Sequence, residues 1–113
     1  MGVQQDLEFE LAELVTVLGL PTPVSDQDRK IFWFEHRRSD GIEITLSLSV
    51  YERKVGVIVE LGRDRASSGV HLTECSSVRV LDSDRKIIEV VSEARAVRCV
   101  LAVEADTILD LST

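Results

Sequence analysis

IFWFEHRRSDGIEITLSLSV, residues 31–50, is the stretch on which the fold of this chain turns. Its second half alternates. Ile42, Ile44, Leu46, Leu48 and Val50 fall on one face, and Glu43, Thr45, Ser47 and Ser49 on the other. That period of two is a strand with one buried and one wet side. IFWFEHR reads as the strand before it, and the turn between them decides which of its faces is buried. A two-residue turn at Asp40-Gly41 would set Glu35 and Arg37 beside Leu46 and Ile44 and bury two charges. A three-residue turn, Ser39 to Gly41 with glycine in the left-handed position, sets Phe32, Phe34 and His36 opposite Leu48, Leu46 and Ile44. It also sets Arg37 opposite Glu43 on the wet face. The three-residue turn is the one expected.

That choice assigns roles. Phe32 and Phe34 become core, and His36 sits at the rim of the core face beside the turn. Ile31 and Trp33 fall on the outer face near Ser47, Ser49 and Ile58. Exposed apolar patches of this kind mark contact surfaces. Ile31, Trp33 and Ile58, with Arg37 and Glu43 at the rim, are therefore the candidate interface.

Working outward, VGVIVEL repeats the alternation with Val55, Val57, Val59 and Leu61. A tight turn at Glu52-Arg53 would pair Val50 with Val55, Leu48 with Val57 and Leu46 with Val59. The loop GRDRASSG, residues 62–69, matches neither glycine spacing of phosphate-binding loops. VHLTE reads as a strand. A turn near Ser83–Arg85 pairs Val80 with Ile88, Val78 with Val90, and Arg79 with Glu89 on the opposite face. Val97, Cys99, Leu101 and Val103 alternate next, and TILDL returns with Leu109 opposite Leu101 and Leu111 opposite Cys99. A helix over Asp84–Glu104 fits the same apolar residues, but their β-branching favours strands.

Towards the N-terminus, Leu7, Leu11, Leu14, Val15 and Leu18 form a helical stripe from about Val3 to Leu18. Gly19, Pro21 and Pro23 end it. The expected architecture is α+β: one domain over residues 1–113, with an N-terminal helix packed on a curved, mainly antiparallel sheet of six to eight strands.

Composition limits function. Twenty acidic residues against 13 basic give a formal charge of −7, the wrong sign for a nucleic-acid binder. Two cysteines, Cys75 and Cys99, are too few for a secreted disulfide framework and sit in alternating apolar runs, as buried thiols do. MGVQQDLEFELAELV is no signal peptide, and no apolar run has membrane-spanning length. A cytoplasmic protein that needs no membrane is expected.

Chemistry is sparse. His36 and His71 are the available bases, and no Gly-x-Ser-x-Gly elbow accompanies them. His71 and Cys75 would lie about 13 Å apart on a continuous strand, so no metal site and no cofactor are expected. Asp82 and Asp84 read as turn formers. In size and charge the chain is similar to small acidic α+β domains among toxin-immunity proteins and secretion chaperones, a likeness that no motif carries. The expected function is a non-enzymatic interaction module that binds a protein partner, or a second copy of itself through the Trp33 face. The alternative is a small apolar ligand held between helix and sheet. A third reading is an enzyme that uses His36 or His71.

Overall fold

A computed structural model of the chain describes residues 6–22, 28, 30–61, 67–94 and 96–112. The alternation in residues 31–72 becomes a meander of four strands: β2 (Ile31–Arg37), β3 (Ile42–Ser49), β4 (Lys54–Leu61) and β5 (Ser67–Leu72), hydrogen-bonded in that order. The first turn is the three-residue one. Arg38 N–H donates to Ile42 O at 2.8 Å, and Gly41 sits at φ 92°, which costs glycine little. Phe32 then pairs with Leu48, Phe34 with Leu46, His36 with Ile44 and Arg37 with Glu43. Phe32 and Phe34 are buried.

The next turn differs from expectation. Val55 pairs with Leu48 and Val57 with Leu46, because Val50–Arg53 all belong to the turn. Arg53 takes the left-handed position at φ 54°. A slip of two residues leaves every side chain on its expected face, so the core is unaffected. Leu61, at the end of β4, lies beyond the core and is exposed.

Residues 75–112 make a second meander: β6 (Cys75–Asp82), β7 (Ile87–Ser92), β8 (Val97–Ala102) and β9 (Leu109–Ser112). The pairings Val78–Val90, Val80–Ile88, Arg79–Glu89, Leu101–Leu109 and Cys99–Leu111 are all present. The described residues of 84–104 are thus strands and turns, as their β-branching indicates. A two-residue strand β1 (Glu8–Phe9) joins the far side of β6 in parallel, giving the order β1-β6-β7-β8-β9.

The chain therefore builds two sheets and, among the described residues, nine strands, where one sheet of six to eight was expected. The reason is coverage. The helix is too small to hide the apolar face of so many strands, so the sheets hide each other. One buried cluster takes Phe34, Leu46 and Val57 from the first sheet and Val90, Cys99 and Leu101 from the second. The chain passes between sheets at Thr73 and Glu74, the latter at φ 51°.

The helix is shorter than expected. Only Leu11–Leu18 is helical, and residues 3–5 lie outside the described part. Leu7, Glu8, Phe9 and Glu10 alternate apolar and acidic, which suits a strand better than a helix. The helix α1 buries Leu14, Val17 and Leu18 against β6 and β2, one strand from each sheet, and leaves Leu11 40% exposed.

Two measurements check this packing. Leu14→Ala should cost about 2–5 kcal/mol in urea unfolding, whereas Leu11→Ala should change stability by no more than about 0.5 kcal/mol. The thiols offer the other. Burial pushes Cys75 up to about 11, and burial together with Asp110 raises Cys99. Both should resist a thiol-specific disulfide reagent at neutral pH in the native protein and react at once in denaturant.

Candidate functional site

The outer face of the β2–β5 sheet holds the residues singled out for contact. One cross-strand row runs Trp33, Ser47, Gly56, His71. A Cβ on Gly56 would lie 2.7 Å from Ser47 Oγ and 3.3 Å from His71 Cε1, so His71 leans over a position that has no room for a side chain. Ile31 flanks Trp33 in the next row, with Ser49 and Lys54. Ile58 lies opposite Thr45, one row further along than the expected turn would have placed it. At the end of the sheet Arg37 donates through Nε to Glu43 Oε1 at 2.8 Å and also through Nη2. Ile31 and Trp33 are half-buried and Ile58 is exposed. Thr22 N–H donates to Trp33 O at 2.7 Å, which ties the chain after α1 to the edge of β2.

His36 and His71 are not brought together, since they stand on opposite faces of the same sheet. His36 points to the core rim, where Nε2 donates to Glu104 Oε1 at 2.7 Å, a carboxylate being able only to accept. Beside it Arg38 donates to Ala105 O at 2.7 Å and to Asp40 Oδ2 at 2.8 Å. Asp40 also accepts from Ile42 N–H, and that amide first, with Arg38 adding, holds its carboxyl below the usual range. These bonds strap the β2–β3 turn to the β8–β9 turn and so join the two sheets. Neither Arg38 nor Glu104 stood out in the sequence, because their positions are adjacent only once the sheets stack.

His71 lies on the outer face of the first sheet, and Cys75, buried, opens β6 in the second, so the two do not lie on one continuous strand. Among the described residues no group of three or more His, Cys, Asp or Glu is placed to hold a metal ion. No helix there is long and apolar enough to cross a membrane. Residues 62–66 of the glycine-bounded loop lie outside the described part, and Ser67–Gly69 belong to β5.

The outer face of the second sheet carries a clamp. Glu89, 4% exposed, accepts from Arg79 Nη2 at 2.8 Å and from Arg98 Nε on the other side. Arg79 foremost, then Arg98, holds its carboxyl below the ordinary glutamate value in spite of burial.

A groove of about 470 Å³ opens between α1 and β6. Leu7, Phe9 and Leu14 form its floor, Glu8, Glu10 and Glu13 its acidic rim, and Ser77–Val80 of β6 its far wall. It occupies the place between helix and sheet where an apolar cavity was expected, but it is open and edged with carboxylates. Only the alternation of LEFE could have signalled it in the sequence.

The fold is similar to that of a chain in the contact-dependent growth inhibition toxin–immunity protein complex from Klebsiella pneumoniae 342. The TM-score is 0.77, with 14% sequence identity, over 96% of this chain and 96% of that one. At that identity the likeness is one of fold. No protein-family model matches the chain, and no curated protein sequence matches it.

The clamp gives a pH dependence. The folded Glu89 carboxyl titrates below its unfolded value, so its pairing adds stability above the unfolded pKa of about 4.3. That increment is lost as pH falls through the lower folded value. Glu89→Gln should lower stability at pH 7 and flatten the acid limb of the stability curve, as read by urea midpoints from neutral to strongly acid pH.

Proposed function

We propose that this chain is a protein-binding module of the toxin–immunity type, which acts by covering a partner's surface. The observation that carries the reading is the likeness of fold along nearly the whole chain to one from a two-protein complex. The formal charge of −7 supports a partner of opposite sign, since complementary charge speeds encounter and rejects wrong partners. The contact surface in this reading is the outer face of β2–β5. Trp33 with Ile31 is its centre, Ile58 extends it, and the Arg37–Glu43 pair borders it. Tryptophan beside small side chains offers a wide, rigid contact, the composition of binding hot spots.

Affinity capture from the source cell on the tagged chain, followed by reconstitution from purified components, tests this. A single basic protein should copurify in stoichiometric amount, arrest growth when expressed alone, and be neutralised by coexpression. Trp33→Ala should weaken the reconstituted complex by at least about thirtyfold, near 2 kcal/mol. His36→Gln should leave it unchanged. Capture of no stoichiometric protein, together with a purified chain that sediments as a dimer dissociated by Trp33→Ala, would replace this reading with self-association through the same face.

A further inference from the structure

We propose that the groove between α1 and β6 is a second docking site, which takes an extended basic segment of another protein as an added strand on the free edge of β6. The inference stands apart from the Trp33 face and does not depend on it.

Three observations carry it. The first is an unfinished edge. β1 covers β6 only at Ser77 and Val78, and after Phe9 the chain turns away through Glu10 into α1. Among the described residues no strand pairs with Arg79–Asp82 on that side. An open run of backbone donors and acceptors is a template for strand addition. The second is shape. The apolar floor with a strand edge on one side and a helix on the other forms a trough, and about 470 Å³ lies within the range of ligand-holding clefts.

The third is charge. Glu8, Glu10 and Glu13 are exposed, and none joins an ion pair among the described residues. Arg79, which also lines the groove, is paired with Glu89 through Nη2, and no ion pair joins it to the three glutamates among the described residues. The occupant therefore carries lysine or arginine on the side that meets α1. It alternates these with apolar side chains that lie on Phe9 and Val80, the partly exposed apolar residues of the lining, as the period of a strand requires.

The test uses the full chain and an array of short acetylated peptides that alternate Lys or Arg with Val, Ile, Leu or Phe. The best binder is measured by fluorescence anisotropy. Saturable binding is expected. It should be at least tenfold weaker with the Glu10→Lys/Glu13→Lys variant, and it should be unchanged with Glu35→Lys/Glu60→Lys on the other sheet. A peptide with Glu in place of each cation should not bind. One N-methylated at alternate backbone positions should bind at least tenfold more weakly, which separates strand pairing from simple charge attraction. Circular dichroism and thermal unfolding confirm that each variant is folded. Four results would overturn the proposal: no saturable binding in the array, equal binding by the two double variants, equal binding of the N-methylated peptide, or concentration-dependent self-association abolished by Glu10→Lys/Glu13→Lys.

Discussion

The three-residue turn at Ser39–Gly41 is the constraint on which the rest depends. With Gly41 at positive φ, the strand before it enters with Phe32 and Phe34 inward and Glu35 and Arg37 outward. One residue fewer would bury both charges and expose both aromatics. The same turn aims His36 and Arg38 at the β8–β9 turn, where Glu104 and the Ala105 carbonyl receive them. A local backbone choice thus settles which face of a sheet is buried and where the second sheet is fastened to it.

Much of this was legible in the sequence, and what was not has identifiable causes. The β2–β3, β6–β7 and β8–β9 registers could be read because a one-residue error in any of them turns a charged face inward. The β3–β4 register was misread by two residues, an error to which hydrophobic pattern is blind, since both settings present the same faces. Alternation also says that a face is buried without saying by what, so one curved sheet and two stacked sheets look alike from the chain. The helix was overextended because Leu7 fits a helical stripe with Leu11 and Leu14 as well as it fits a strand with Phe9. The Trp33 face could be named residue by residue, as it lies on one meander. The groove could not, as its walls come from α1 with the residues before it and from β6, with a whole sheet between them in the chain.

Two groups among the acidic residues contrast. Glu43, Glu89 and Asp40 accept from arginine and Glu104 accepts from His36, and each of these contacts links neighbouring strands, spans a turn, or joins one sheet with the other. Glu8, Glu10 and Glu13 form no ion pair among the described residues and collect at one edge. An excess of negative charge held off the stabilising pairs is felt mainly by whatever approaches from outside, where it sets encounter rate and selectivity more than it sets the fold.

Each meander presents its core with only every second side chain, and its hydrogen-bond ladders run through backbone alone. Outward-facing positions therefore carry little of the information that specifies the architecture. Those positions can be replaced while the inner faces keep the two layers in place. Two chains that superpose along almost their entire length yet share few residues are what such a scaffold leaves behind. Their likeness is then a record of common packing.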